Sequence, residues 1–185
     1  MVVRIRHATE GDVLWLLPEL VEFAKFADTK YSMIPSKESV QVEILTGMIK
    51  DHLFLVAEGP TGPMGFVAGL VVPHLFNPEI LVCHETFWWV KVEHRGSSAG
   101  IRLLDAFTLW CESHGVHWIF FSFQHNTPIN ERAFTKRGFR IQEYQYLKEV
   151  EYGGSDDDHR SGSSGADGGD DSVPGPATVE GQASS

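Results

Sequence analysis

Cysteine is scarce in this 185-residue chain, where only Cys83 and Cys111 occur, each within an apolar stretch. Two such cysteines supply neither a disulfide framework nor the paired spacing of a zinc site. We therefore expect buried, reduced thiols and no metal. A charged start followed by a short apolar segment is also missing, and no uninterrupted apolar run reaches membrane-spanning length. A cytoplasmic protein without a membrane partner is the expectation.

Basic residues are also few, with 15 Lys and Arg against 25 Asp and Glu, for a net charge of −10. The charge is unevenly distributed. Residues 1–150 contain 14 basic and 17 acidic residues and carry −3, whereas residues 151–185 carry −7. The first part is near neutral and has no basic stripe, which argues against nucleic-acid binding.

Residues 151–185 consist mainly of Gly, Ser, Asp and Pro, with almost no large apolar side chain. Such a segment cannot bury enough surface to offset the entropy of ordering, so we predict a disordered acidic tail. It is either a solvated tail or an acidic arm for a basic partner, and the residues do not favour the second reading. The predicted domain division is a folded domain over 1–150 and a tail over 151–185.

Hydrophobic periodicity predicts the order β-α-α-β-β-β-α-β-α-β in the first part of the chain. Strands are predicted over 2–7, 52–58, 64–72, 81–92, 116–123 and 139–150, and helices over 9–27, 35–51, 100–115 and 127–138. Pro18 either kinks the first helix or marks its start. Residues 73–80 are predicted to be irregular, and the apolar stretch 116–123 indicates a strand buried on both faces. The fold class is mixed α/β, with a mostly antiparallel central sheet of about six strands flanked by helices.

The stretch "VEHRGSSAG", residues 92–100, places small residues where a strand gives way to a helix. A helix N-terminus has unpaired N–H groups and partial positive charge, and small residues let a ligand approach the backbone. A pyrophosphate is the natural occupant, and Arg95 adds a fork of donors. A plain strand-to-helix connection is the alternative reading.

Together with "KRGF" at residues 136–139, this stretch resembles the GNAT superfamily of N-acetyltransferases over roughly residues 3–150. The family's loop pattern is Arg/Gln-x-x-Gly-x-Gly/Ala, and Arg95, Gly96 and Gly100 fit it. Ser98 stands where glycine is usual, which the backbone accepts if φ there is negative. Gly138 and Phe139 match the family's turn into its last strand.

The resemblance implies that acetyl-CoA is the co-substrate and lies in an opening between the fourth and fifth strands. It implies that the N–H groups of Gly96, Ser97, Ser98, Ala99 and Gly100 hold the pyrophosphate. The pantetheine arm would pair with Val90 and Val92, Asn126 would bind the arm or a water, and Phe134 would pack against the arm.

Glu85 is the first candidate for the residue that takes a proton from the amine. A carboxylate within the apolar run "CHETFWWV" tends to have a raised pKa and can act as a general base, through water. The alternative is a surface carboxylate paired with a basic side chain. His84 alternates to the opposite face, so only one of the two faces the opening.

The family often uses a tyrosine to protonate the departing thiolate, and Phe134 stands at that position here. His125 is the nearest replacement as catalytic acid, although a loop position makes a surface histidine the alternative. Tyr31 could reach the acceptor site, and Trp89 or Phe87 could line the acceptor pocket. Tyr144 and Tyr146 are expected to pack on the last strand.

Two functions remain open at this point. The first is an N-acetyltransferase that moves the acetyl group to a primary amine by direct attack. The second is a catalytically silent acyl-CoA-binding or assembly module of the same fold. A homodimer is compatible with either. A P-loop nucleotide site is excluded because the chain lacks Gly-Lys-Ser/Thr.

Overall fold

The computed structural model describes residues 2–27, 37–123, 127 and 130–143. The strands are β1 Arg4–His7, β2 Leu53–Gly59, β3 Gly62–His74, β4 Asn77–Val90 and β5 Val116–Phe120, and the helices are α1 Val13–Phe26, α2 Glu38–Asp51, α3 Ala99–Ser113 and α4 Glu131–Thr135. All of them lie in one compact unit, Met1–Ile141. Of a second unit, Gln142–Ser185, only residues 142 and 143 are described. The predicted tail lies outside the described residues, and the boundary near residue 150 stays a prediction.

The five strands form one sheet in the order β1-β2-β3-β4-β5. The first four are antiparallel neighbours, and β5 runs parallel to β4. A parallel neighbour needs a crossover connection, which α3 supplies. The predicted mixed, mostly antiparallel sheet with flanking helices is therefore confirmed.

Apolar side chains cover both faces of this sheet. On one face Leu103, Phe107 and Cys111 of α3 are buried against the sheet. On the other face α1 and α2 contribute Leu16 and Leu45 to a second cluster. Because side chains alternate along a strand, β2, β3 and β4 each contribute to both clusters, and the sheet is held between two layers of helices.

Several predicted boundaries need correction. Pro18 lies inside α1, so the reading that it starts the helix is wrong. The segment expected to be irregular, 73–80, is mostly strand, because β3 and β4 form a long hairpin with Leu75 and Phe76 at its tip. The last helix is shorter than expected and is capped by Asn130, whose side chain accepts the Ala133 N–H at 3.2 Å, rather than by Thr127.

The predicted final strand is not found where it can be checked. Residues 139–143 belong to no strand, and residues 144–150, including Tyr144 and Tyr146, lie outside the described residues.

Cys83 and Cys111 are buried and free, as expected. Their mutual hydrogen bond and then burial raise the pKa of the Cys83 thiol. Within the described residues, no helix combines the length and the apolar character needed to cross a bilayer.

The junction of β1 and α1 is fixed by one buried carboxylate, Asp12. Its two oxygens accept hydrogen bonds from the Arg6 guanidinium at 2.8 Å each, from the Thr9 N–H at 2.8 Å and from the Trp15 indole N–H at 2.8 Å. The Arg6 hydrogen bond is the largest cause that lowers the pKa of Asp12 well below its ordinary value. A carboxylate held by so many donors orients the first helix against the sheet edge.

We expect Asp12→Ala to lower the free energy of unfolding by about 2 kcal/mol, because it removes the hydrogen-bond acceptor of the Thr9 N–H, the Trp15 indole N–H and the half-buried Arg6 guanidinium, which keeps only its longer ion pair with Glu58 at 3.5 Å. The matched control is Glu22→Ala, which breaks an exposed ion pair with Lys25 and is expected to cost less than about 1 kcal/mol. Urea unfolding measures both. The folded pKa of Asp12 lies below the unfolded one, so its contribution is present at neutral pH and is lost as the pH falls below about 4. A difference between wild type and Asp12→Ala that stayed constant in acid would contradict this assignment.

Candidate active site

β4 and β5 lie side by side for only part of their length. Their parallel pairing begins at Leu81↔Val116 and ends at His84↔Phe120. β4 continues to Val90, still paired with β3, whereas β5 ends at Phe120. Beyond His84 the edge of β4 that faced β5 is not paired with any described strand, so the two strands part after this pair. This end of the pairing agrees with the opening between the fourth and fifth strands that the family resemblance implied.

A β-bulge lies at the start of this opening. Ala68 pairs with Phe87 and Gly69 pairs with Glu85, so Thr86 is an extra residue on β4. Its hydroxyl donates to the Ala68 carbonyl oxygen at 3.2 Å. A bulge reverses the alternation of side chains beyond it. As a result Trp88 and Val90 face α3, as Cys83 does before the bulge, while Phe87 and Trp89 face α1 and α2.

Glu85 is the last residue of β4 before the bulge. Its carboxylate is half-buried and accepts a long hydrogen bond, 3.4 Å, from the Ser122 N–H just beyond the end of β5. Burial raises the pKa of Glu85 to about 7, and the Ser122 hydrogen bond offsets this only in part. Among the described residues no Lys or Arg forms an ion pair with it. The alternative of a surface ion pair therefore finds no partner for Glu85 among the described residues.

His84 faces away from the opening. Its ring stacks on Phe120, with centroids 4.8 Å apart and an interplanar angle of 9°. The expectation that only one of His84 and Glu85 enters the opening agrees with this geometry, and Glu85 is the one that reaches Ser122. The carboxylate thus spans the point where the two strands separate.

The loop that follows β4 differs in one respect from expectation. Val92 was predicted to lie on the strand, but β4 ends at Val90 and Val92 begins a 3-10 turn, Val92–His94. Its backbone therefore departs from strand geometry, and the pairing of Val92 with a ligand arm stays a prediction. Gly96 has φ +82°, a left-handed conformation that favours glycine. Ser98 has φ −78°, so serine fits the position where the family pattern has glycine.

The backbone amides at the start of α3 are largely free. Within the described residues, the N–H groups of Gly96, Ser98, Gly100 and Ile101 meet no acceptor. The Ala99 N–H is the exception, since it donates to the Ser97 side-chain oxygen at 3.2 Å. Unpaired N–H groups at the end of a fifteen-residue helix form a positively polarised concavity suited to an anion.

The Arg95 side chain is engaged elsewhere. Its guanidinium lies 4.6 Å from the Trp89 ring centroid and 4.9 Å from the Phe26 ring centroid, and its Nε donates to the Val90 carbonyl oxygen at 3.3 Å. Of the predicted fork of donors, only Nε is hydrogen-bonded to a described residue. Cation–π contacts of this kind engage the face of the guanidinium and anchor the loop, and they leave its other N–H groups able to donate. The role of Arg95 beside the amides as a donor to an anion stays a prediction.

A family model described as "Acetyltransferase (GNAT) family" matches residues 20–139, which contain the β4–β5 opening and the glycine loop. The chain belongs to the GNAT acetyltransferase family. No curated protein sequence matches it significantly.

Solved GNAT-like structures share the fold at low identity. A transcriptional regulator from Bacillus halodurans C-125 is 19% identical with a TM-score of 0.64, covering 80% of this chain and 100% of its own. Glucosamine-6-phosphate N-acetyltransferase from Arabidopsis thaliana is 14% identical with a TM-score of 0.62, covering 82% and 100%. A predicted acetyltransferase with acetyl-CoA from Clostridium acetobutylicum is 15% identical with a TM-score of 0.58, covering 80% and 96%. At these identities the likeness concerns the fold alone.

The α3 face of this GNAT opening is lined by aromatic rings. Phe134, at the position of the usual GNAT tyrosine, is buried and contacts Trp88, Phe121 and Phe123 at centroid distances of 5.8, 5.4 and 5.0 Å. The indole N–H of Trp88 is buried without a partner among the described residues. Phe134 offers no proton. His125 and Asn126 lie outside the described residues, so their roles stay predictions.

The aromatic residues expected to line an acceptor pocket are engaged with α1. Trp89 is buried, and its indole N–H donates to Glu19 at 2.9 Å, so the expectation that it faces an acceptor is wrong. Phe87 packs edge-on against Phe23 at 5.7 Å. Tyr31 lies outside the described residues. Within the described part of the chain, no group of three or more His, Cys, Asp or Glu is arranged to hold a metal.

We expect Gly96→Ala to weaken acetyl-CoA binding about fivefold, because a side chain in the left-handed region costs roughly 1 kcal/mol and shifts the loop away from its binding shape. The space around Gly96 is open, so the effect is one of backbone conformation and not of collision. Ser98→Ala is the matched control, since Ser98 already has negative φ, and its dissociation constant should stay within about twofold of wild type. Calorimetric titration measures both. Equal affinities for the two variants would argue against the amide loop as the anion site.

Proposed function

We propose that this protein is an N-acetyltransferase that moves the acetyl group of acetyl-CoA to a primary amine by direct attack. The observation that carries the proposal is the position of Glu85, a carboxylate with a raised pKa at the point where β4 and β5 separate. The free amides at the start of α3 lie at the other end of the same stretch of β4.

The helix end supplies the anion site in this proposal. The N–H groups of Gly96, Ser98 and Gly100 would hold the diphosphate of coenzyme A. A Cβ at Gly100 would make ordinary van der Waals contact with Val90 and Trp88, at 3.5 and 3.8 Å, so the first turn of α3 lies beside the end of β4. The family membership supports acetyl-CoA as the acyl donor, since GNAT enzymes are acetyltransferases.

Val90 supplies the strand edge for the acyl group. The Lys91 N–H donates to Met64 on the β3 side at 3.0 Å, and backbone directions alternate along a strand, so Val90 points its N–H and C=O away from β3. Arg95 already occupies the Val90 carbonyl. The Val90 N–H is left to polarise the thioester carbonyl and to stabilise the oxyanion that forms as the amine attacks.

Glu85 serves as the general base. The amine nitrogen forms a bond to the thioester carbon, the C–S bond breaks, and the proton lost by the nitrogen passes to the Glu85 carboxylate, directly or through water. The sulphur departs as the thiolate of coenzyme A and takes its proton from water. No covalent enzyme intermediate is needed, because holding the two reactants together supplies much of the rate.

A catalytically silent acyl-CoA-binding module is the second candidate. The observation that favours it is Phe134, which cannot donate a proton to the thiolate. The two candidates differ in turnover and not in binding. Calorimetric titration with acetyl-CoA followed by a thiol-release assay across a set of amines separates them.

We expect Glu85→Gln to lower turnover by about 100-fold or more, the range typical of a lost general base, while acetyl-CoA affinity stays within about twofold. The plot of kcat/KM against pH for wild type should rise through pH about 7, because the base acts only when ionised, and this limb should vanish in the variant.

The matched control is Glu112→Gln, which removes an exposed carboxylate on α3 away from the opening. It should leave both kinetics and binding unchanged. Wild-type turnover in Glu85→Gln, with the pH limb retained, would remove Glu85 from the mechanism and leave the acyl-CoA site untouched.

The raised pKa of Glu85 also predicts a change in stability. The folded pKa, about 7, lies above the ordinary carboxyl value of 4.5, so the folded state holds the proton more tightly and loses stability as pH rises between these values. The isosteric Glu85→Gln avoids this loss. It should melt at the same temperature as wild type near pH 4 and at a higher temperature near pH 8, by differential scanning calorimetry. A higher melting temperature at both pH values would point to packing instead of charge burial.

A further inference from the structure

Positively charged side chains cluster beside the start of α3. Residues 131–140, which contain α4, hold four basic residues and one acidic residue for a net charge of +3, whereas residues 1–150 as a whole carry −3. Arg102 adds a further cation on the first turn of α3. A domain that is acidic as a whole therefore has a local excess of positive charge here.

Two sets of contacts place α4 beside the first half of α3. Phe134 of α4 packs edge-on against the Trp88 ring with centroids 5.8 Å apart, and a Cβ at Gly100 would lie 3.8 Å from the same ring. Farther along α3, Asp105 forms an ion pair with the Arg137 guanidinium, which follows α4. Both ends of α4 therefore lie close to the part of α3 where the free amides are.

Three cations of this region have no acidic partner in the described part of the chain. They are Arg102, Arg132 and Lys136, and we call them the basic surface. All three are exposed, and none forms an ion pair with a described residue. Cations on other elements are paired with carboxylates: Arg6, Lys25, Lys50 and Lys91. Like charges that lie together without counter-charges repel one another, so the basic surface favours the binding of an anion.

The basic surface adjoins the free amides at the start of α3. Arg102 lies two residues beyond Gly100, and helical side chains lean toward the N-terminus of their helix, so the base of the Arg102 side chain leans toward the amides. Arg132 and Lys136 are four residues apart and share the face of α4 that is opposite to Phe134. An anion bound at the amides therefore has these cations as its neighbours.

Coenzyme A carries two separate phosphate groups that fit this arrangement. Its diphosphate is attached to the 5′ position of a ribose, and a phosphate monoester is attached to the 3′ position of the same ribose. A monoester carries a charge of about −1.5 to −2 at neutral pH and accepts charge-assisted hydrogen bonds from Arg and Lys. Because one ribose joins the two groups, binding of the diphosphate at the amides brings the monoester to the neighbouring surface.

We propose that the basic surface binds the 3′-phosphate of coenzyme A, and that this contact makes the protein select coenzyme A over its 3′-dephosphorylated form. This inference rests on the proposed use of acetyl-CoA and assigns it a second anion site. The amides hold the diphosphate, while Arg102 and Lys136 hold the monoester from α3 and α4. A phosphate carried by the acceptor is the competing source of the same group.

The test is calorimetric titration of the full chain with coenzyme A and with 3′-dephospho-coenzyme A at low ionic strength. Wild type should bind coenzyme A about tenfold more tightly, the scale of a hydrogen bond to a charged group. In the double variant Arg102→Ala/Lys136→Ala the two dissociation constants should agree within about twofold, because only the ligand with the monoester loses a contact. Added salt should narrow the wild-type preference, since exposed charges are screened.

Two further double variants serve as controls. Arg4→Ala/Lys37→Ala removes two exposed cations on β1 and at the start of α2, neither of which has an ion pair within the described residues, and it should keep the tenfold preference. Arg102→Lys/Lys136→Arg keeps both charges and should retain most of the preference. Melting temperatures show whether each variant is folded.

Four results would overturn the inference. Equal wild-type affinities for the two ligands would leave the acyl-CoA site and the acetyl transfer standing but remove the 3′-phosphate contact. A full preference in Arg102→Ala/Lys136→Ala would assign that phosphate to other residues. A preference lost equally in Arg4→Ala/Lys37→Ala would reflect the net charge of the protein instead of this surface. Failure of both ligands to bind would remove the proposed function, and the inference with it.

Discussion

The separation of β4 from β5 after the His84↔Phe120 pair is the constraint on which the rest of the site depends. Ending a ladder inside a sheet leaves backbone N–H and C=O groups without partners, and such groups are costly where water is excluded. Two devices support the opening here. The bulge at Thr86 ties β4 to β3 through the Ala68 carbonyl, and Arg95 takes the carbonyl of Val90.

The contacts around the end of β4 also determine which cations lie near Glu85. Lys91 directly follows the end of β4 and pairs with Glu19 at 3.2 Å. Arg95 is the next cation along the chain, and its guanidinium lies over the Trp89 and Phe26 rings instead of forming an ion pair with Glu85. With both cations committed on the α1 side, burial acts on Glu85 without an opposing charge, which raises its pKa. The proposed function therefore has an anion-binding group of amides and a carboxylate base a few residues apart, with no ion pair between Glu85 and either of these two cations.

Part of the fold and of the site was predictable from local sequence features. The glycine loop and the hydrophobic periodicity of α3 each depend on residues close together in the chain, and the resemblance to a known family rested on such features. The Thr86 bulge was not predictable from the sequence, because threonine is an ordinary strand residue. The extra residue on β4 is defined only by the pairing of Ala68 with Phe87 and of Gly69 with Glu85.

The burial of β5 was predicted wrongly, since this strand was expected to be buried on both faces and Trp118 is 47% exposed. The exposure of Trp118 depends on which elements pack against β5. The apolar sequence of this strand does not indicate whether a helix covers each of its faces.

Phenylalanine in place of the usual tyrosine acid is only a weak argument against catalysis. Phenylalanine at position 134 keeps the aromatic packing against Trp88 and Phe123 and gives up only a hydroxyl. A thiol has a pKa of about 8.5, so its conjugate base is a tolerable leaving group near neutral pH, unlike an alkoxide or an amide anion. The base is the harder requirement, since a protonated amine cannot attack at all. In the proposed reaction, therefore, a chain that keeps Glu85 at the strand junction and lacks the tyrosine acid retains the group whose loss would cost the most activity.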